Sequence, residues 1–208
     1  MRRRFFDLAF TPTVRAEQER RGSRAAYAAI TAGGEGEASA DVLSQRELLF
    51  IEARDSFYLA TVSETGWPYV QHRGGPAGFV HLLDAKTLGW ADFAGNRQYV
   101  SVGNTAADDR VAMIFIDYPQ QRRLKVLGHM RAFDADERPD LALQLGIEGY
   151  DARVERFVMV TVEAFDWNCP QHITRRFTLA EIEKMVAPLH AKIAELEAQL
   201  AEREPVPG

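Results

Sequence analysis

Between residues 57 and 165 seven short runs rich in Val, Ile, Phe and Tyr, several of them alternating apolar and polar positions with a period of two, are set apart by Gly, Pro, Asn and Asp. These runs predict strands over Phe57–Ser63, Trp67–His72, Phe79–Leu83, Thr87–Asp92, Arg110–Tyr118, Arg123–Phe133 and Val154–Phe165. Glu64, Thr65 and Gly66 supply a hairpin turn between the first two, and Pro68 falls at a strand start, where a missing donor is tolerated. Arg110–Tyr118 is apolar on both faces, so it is expected to be covered on both sides. No helical pattern of about 10–15 residues separates successive runs, which favours an antiparallel meander closed into a barrel over a βαβ fold.

The pattern changes at the two ends. Thr13–Tyr27 reads as a polar helix following Pro12, and Thr31–Asp41, TAGGEGEASAD, as an acidic loop rich in Gly and Ala. Leu43–Ala53 reads as a short helix opened by a capping box, Ser44 with Glu47. Pro139–Glu148 predicts another short helix, and Asn96–Asn104 a short helix or an irregular turn. Beyond Thr178, itself paired with Glu181 as a cap, Ile182, Val186, Leu189, Ile193, Leu196 and Leu200 follow one another at steps of four and three. That stripe suits a helix laid on its own subunit or one paired with a mate, with Pro188 expected to kink or divide it. The chain thus divides into an N-terminal arm and loop (residues 1–42), a main domain (43–177) and a C-terminal helix (178–203), with a tail from Pro205 expected to lack order.

Composition narrows the class of function. A formal net charge of -5 and a sequence pI of about 5.6 argue against a general nucleic-acid binder. No apolar run is long enough for a membrane span or a signal peptide, and a single cysteine, Cys169, points to a cytoplasmic protein without an intrachain disulfide. Five scattered histidines form no close-spaced metal-ligand cluster, so no metal is expected.

Two places combine arginine with flexible backbone: His72 to Gly75 and Gly95 to Arg97. A guanidinium offers a fixed fork of donors, and glycine lets main chain approach a ligand closely, a pairing suited to planar or phosphorylated molecules. Strand-end ion pairs are the plainer reading of both. The segments FYLATVSETGWPYVQHRGG, ADFAGNRQYVSVGN, DDRVAMIFIDY and WNCPQHITRR together resemble the pyridoxamine 5'-phosphate oxidase-like flavin-binding split-barrel family, above all its uncharacterised bacterial branch with PYVQHRGG and GNRQY motifs. The resemblance spans roughly residues 43 to 177.

It implies a mainly β fold, a six-stranded antiparallel Greek-key split barrel with peripheral helices and a C-terminal helix, forming a homodimer that holds FMN in clefts between subunits. By the same resemblance Tyr69, Val70, Gln71, His72, Arg73 and Gly74 line the flavin, and Asp92 and Phe93 lie on the neighbouring strand edge. Asn96, Arg97 and Gln98 hold the phosphate, and Trp167, Gln171 and Arg175 or Arg176 reach the cofactor from the second subunit. Donor-rich side chains such as Gln71 and Asn96 suit the polar rim of a flavin ring, and arginine suits its phosphate. The reading that follows is an FMN-dependent oxidoreductase exchanging hydride with a small organic substrate; no residue is singled out as catalytic. The oxidase that names the family grips its substrate with an Arg-x-His pair that HITRRF does not reproduce in order, which argues against vitamin B6 oxidation. A non-catalytic flavin store, a split barrel carrying FAD, F420 or haem, and an RNA- or peptide-binding barrel are the alternatives.

Overall fold

The computed structural model describes residues 4–31, 40–168 and 170–203. Most of the acidic loop, Cys169 and the tail from Pro205 lie outside them. Seven helices, α1 (Arg4–Ala9), α2 (Pro12–Arg20), α3 (Arg24–Thr31), α4 (Gln45–Glu52), α5 (Val100–Ala107), α6 (Pro139–Leu145) and α7 (Leu179–Arg203), accompany seven strands. The strands are β1 (Ser56–Val62), β2 (Pro68–Gly74), β3 (Val80–Asp84), β4 (Thr87–Phe93), β5 (Arg110–Asp117), β6 (Arg122–Asp134) and β7 (Val154–Asn168).

All seven strands join one sheet in the order β2-β1-β5-β6-β7-β4-β3, every pairing among the described residues antiparallel. This corrects the expected six-stranded, mainly β barrel: the sheet is open, has a seventh strand, and shares the chain about equally with helix. Two causes are visible. The two ends of the chain contribute four helices, one of them 25 residues long. No ladder joins β2 to β3 among the described residues, and β3, only five residues with a register shift between Leu82 and Asp84, instead has α4 beside it.

The open sheet nonetheless curls. Four ladder steps separate β1 from β4, about 19 Å in a flat sheet, yet the Phe57 and Trp90 rings lie 5.1 Å apart between centroids. Inside the curl Phe57, Leu59, Phe79, Leu88, Trp90, Met113, Phe115, Leu124, Val126, Val158 and Val160 form the main core. Each such side chain taken from water contributes roughly 1.5–3 kcal/mol. Alternation sets who enters: along β5, Val111, Met113, Phe115 and Asp117 are buried while Ala112, Ile114 and Ile116 are only half-buried. The expectation of full cover on both faces of β5 is therefore not met.

On the outer face of β6 and β7, Phe5 and Phe6 of α1 pack on Ala164 and Leu127, and Arg4 Nε donates to Glu163 Oε1 at 2.7 Å. The single N-terminal helix read from Thr13 to Tyr27 is broken into α2 and α3 at Gly22, whose φ of 75° is the left-handed conformation glycine adopts without steric cost. The capping box expected at Ser44 and Glu47 opens α4.

The described chain divides into two compact units, one of residues up to 117 together with 122–170, the other of residues 118–121 and those from 171 onward. Within the second, Gln121 Nε2 donates to the Ile173 carbonyl at 2.6 Å, and α7 runs unbroken through Pro188.

Candidate functional site

Strand β2 is an edge strand whose side chains alternate between the inside of the curl and the outside. Its register against β1 pairs Arg73 with Phe57, Gln71 with Leu59 and Tyr69 with Thr61, so Tyr69, Gln71 and Arg73 share the inner face. Pro68, Val70, His72 and Gly74 face outward and are exposed, and the His72 ring meets Tyr58 edge-on at 5.5 Å. The contiguous run of candidates is thus split in two by the pleat.

Arg73 reaches across the mouth of the curl. Its Nη1 donates to Asp92 Oδ1 on β4, five ladder steps away, and Arg156 of β7 donates to Asp92 Oδ2 from Nη2 at 2.9 Å and Nε at 3.2 Å. The Asp92 side chain is 3% exposed, and the two guanidinium-bearing side chains are 15% and 13% exposed. An ion-paired clasp, rather than a backbone ladder, draws the free edge toward β4. Burial works against the charge of Arg156, and its bonds to Asp92 outweigh that effect, so its pKa is raised.

Helix α5 sits over the inner face of β1 and β2 through two polar hooks: Ser101 Oγ donates to Gln71 Oε1 at 2.9 Å, and Asn104 Nδ2 donates to the buried Thr61 Oγ1 at 2.9 Å. The turn leading into it is strained. Arg97 and Tyr99 have φ of 60° and 53°, a region costly for residues with a Cβ, while Asn96 Oδ1 accepts from the Gln98 amide at 3.1 Å. Tyr99 at the N-cap supplies no side-chain bond to the first turn of α5. The ring of Tyr99 lies 4.8 Å under the Arg156 guanidinium, its hydroxyl donates to Glu155 Oε1 at 3.5 Å, and Arg97 Nε donates to that hydroxyl at 3.4 Å. The bond to Tyr99 raises the pKa of Arg97.

Two adjoining cavities open here. One, of about 280 Å³, is lined by Gln71, His72, Arg73, Gly74, Phe79, Trp90, Ala91, Asp92, Phe93, Ala94, Gly95, Tyr150 and Ala152. The other, of about 170 Å³, shares Gln71, Arg73, Phe93 and Gly95 with it and adds Asn96, Arg97, Tyr99, Val102, Glu155 and Arg156. Three arginines face two carboxylates around this space, a positive excess. Among the described residues, Arg73 Nε and Trp90 Nε1 are buried side-chain atoms without a hydrogen-bond partner, and both residues line the larger cavity.

The structure therefore brings together Gln71, Arg73, Asp92, Phe93, Asn96 and Arg97 of the residues singled out from sequence. It turns the Val70 side chain outward and leaves Gln98 exposed at the turn. Trp167 lies elsewhere: its Nε1 donates to Glu47 Oε1 at 2.6 Å, its ring meets Phe50 at 4.7 Å, and Arg46 lies over it at 4.5 Å. In the second unit Gln171 is exposed, Arg175 Nε donates to Gln121 Oε1 at 3.4 Å, and Arg176 lies over the Tyr118 ring at 5.0 Å. Tyr99, Ser101, Tyr150, Glu155 and Arg156 join the site without having been singled out. The one signal for Arg156 was Asp92, a lone acid in the apolar run LGWADF that needs a buried cation. No group of three or more His, Cys, Asp or Glu among the described residues could hold a metal, and none of their helices is long and apolar enough to cross a membrane.

A family model described as pyridoxamine 5'-phosphate oxidase matches residues 43–168, and the chain belongs to that family. Membership puts it in an FMN-binding, oxidoreductase-like class of proteins. Among solved structures it is similar to HupZ of Group A Streptococcus (14% identity, 65% of this chain and 99% of that one, TM-score 0.46). It is also similar to an FMN-binding protein of Syntrophomonas wolfei (11%, 60% and 88%, TM-score 0.44). A third is a protein of Clostridium acetobutylicum related to general stress protein 26, of the pyridoxinephosphate oxidase family (15%, 67% and 99%, TM-score 0.43). No curated protein matches the chain.

Proposed function

We propose that the paired cavities hold FMN and that the protein is an FMN-dependent oxidoreductase acting, as a homodimer, on a small organic substrate. The observation that carries this reading is the buried Arg73 Nε, a charged donor group left without a partner in the wall of a cavity. An unpaired buried donor is costly, and a ligand acceptor relieves it. Gln71 and Arg73 would meet the polar rim of the flavin ring, with Trp90 and Phe93 behind it. Asn96, Arg97, Gln98 and the uncapped first turn of α5 would hold the phosphate, which the positive excess and the helix N-terminus both favour. When bound, FMN supplies hydride exchange at its N5; the chain's own residues bind, orient and partly shield it.

Dimerisation enters because the outward face of β1 and β2 exposes Tyr58, Val62 and Val70, an apolar surface that a second copy would cover. Trp167, Gln171, Arg175 and Arg176 would then approach the cofactor from the partner.

Apoprotein titrated with FMN and with riboflavin tests the reading through quenching of flavin fluorescence. Wild type is expected to bind FMN more tightly, and Arg97→Ala to weaken FMN by about tenfold or more while leaving riboflavin nearly unchanged, since a charge-assisted bond contributes about 1.5–3 kcal/mol. A protein that takes up neither flavin, or an Arg97→Ala variant that binds FMN as wild type does, sinks it. If bound FMN is reduced by nicotinamide donors no faster than free FMN, the enzyme half of the proposal fails and a flavin store remains.

A further inference from the structure

Helix α7 carries an apolar stripe that its own compact unit leaves exposed. Leu179, Ile182, Leu189, Ile193, Leu196 and Leu200 are between 43% and 79% exposed, and with the half-buried Val186 they recur at alternating steps of three and four. Six large aliphatic side chains left in water on one face of a 25-residue helix require a cover.

We infer that the cover is α7 of a second copy, paired in parallel and in register as a two-stranded coiled coil. The heptad assigns Leu179, Val186, Ile193 and Leu200 to position a, and Ile182, Leu189 and Leu196 to position d. β-Branched Val186 and Ile193 at the central a positions, with Leu189 and Leu196 at the neighbouring d positions, are the combination that selects parallel two-stranded pairing. The flanking charges select the same direction. In a parallel pair Lys192, at position g, faces Glu197 of the partner subunit at position e, an attraction repeated by symmetry. An antiparallel pair in the register that faces Ile182 with the partner's Leu200 would set Lys192 against the partner's Lys192 and Glu183 against the partner's Glu197, and the register that faces Leu179 with the partner's Leu196 would avoid this repulsion but lose the attraction between Lys192 and Glu197.

Pro188 falls at position c, off the seam, so the residue that cannot donate to the helix ladder does not interrupt the apolar layers. The start of the helix is fixed by its cap: Thr178 Oγ1 accepts from the Glu181 amide at 3.2 Å, and Glu181 Oε2 accepts from the Thr178 amide at 2.8 Å. Nothing in this pairing depends on flavin, so it stands or falls apart from the cofactor reading.

Cysteine cross-linking of the full chain tests it, in a Cys169→Ser background. Leu196→Cys, on the seam, is expected to give a disulfide-linked dimer under mild oxidation, and Ala198→Cys, on the outer face at position f, to give little. Adding Lys192→Glu to Leu196→Cys is expected to lower the initial cross-linking rate at limiting concentration by about fivefold, and adding Glu197→Lys as well to restore it. Cross-linking of Leu196→Cys no faster than Ala198→Cys overturns the inference. So does preferential linkage between Ile182→Cys and Leu200→Cys chains, which would mark antiparallel helices. Flavin titration of the same variants is expected to match wild type, which separates this outcome from any failure of the cofactor site.

Discussion

Replacing Asp92 by asparagine keeps the shape of the side chain and removes the one buried charge that two half-buried guanidiniums share. In the wild type one carboxylate oxygen accepts from Arg73 and the other accepts twice from Arg156. Asparagine has a single acceptor oxygen, so one arginine keeps a neutral bond while the other faces an NH2 group; Arg156 retains Glu155 at 3.2 Å, and Arg73 is the charge left without a carboxylate in a pocket that exposes little of it. Breaking a buried pair in this way costs about 3–5 kcal/mol, out of a total stability of order 5–15 kcal/mol. At roughly 2–4 °C per kcal/mol for a chain of this size, the thermal midpoint is expected to fall by about 6–20 °C.

The assay is urea unfolding of flavin-free protein followed by tryptophan fluorescence, with Asp108→Asn as control. Asp108 is held by Arg110 well below the usual aspartate value, at about 2, yet Arg110 is exposed and Asp108 only half-buried, so the control is expected to leave the midpoint nearly unchanged. A loss below about 1 kcal/mol for Asp92→Asn, or a loss no larger than the control's, would show that the arginines are hydrated and that the clasp does not hold the curl.

Gly128 lies at the register shift between β6 and β7, where a Cβ would stand 2.5 Å from the Thr161 carbonyl oxygen and 2.8 Å from Val160 Cγ1. Gly128→Ala is expected to destabilise by about 1–3 kcal/mol in the same urea assay, and an unchanged midpoint would mean that the bulge yields freely. Glu47 is a second test. Burial alone would raise its pKa, but bonds from Ser44 and the Trp167 indole outweigh that, so its folded value lies below its unfolded one. It therefore contributes stability that is fully present above the ordinary carboxylate range and lost as pH falls through the folded value. Glu47→Gln is expected to flatten the acid branch of stability against pH, and an acid branch identical to wild type would refute the assignment.

What could be read in the sequence divides along the range of the interactions involved. All seven strands were legible, because a short apolar run bounded by turn residues, such as Arg110–Tyr118, is a property of neighbours. So was the cap of α4, since Ser44 and Glu47 lie three apart. Arg73 and Arg97 were legible as chemistry, an arginine beside glycine, although strand period alone would have sent His72 to the opposite face from Arg73. The openness of the sheet was not legible, because whether its edge strands pair depends on how far the curl carries β2 toward β3, and no local pattern encodes that distance. Arg156 was missed for the same reason: it meets Asp92 across 64 residues, through the β4–β7 register. Yet that pair shows where a sequence reading can still be pushed. Asp92 in LGWADF breaks an otherwise apolar strand, and a charge in that setting is tolerated only with a buried counter-charge, so the acid itself states that cations must converge on it. Asking which arginines on inward strand positions could supply that charge leads to Arg73 and Arg156, and so from one misplaced polar residue to the wall of the candidate site.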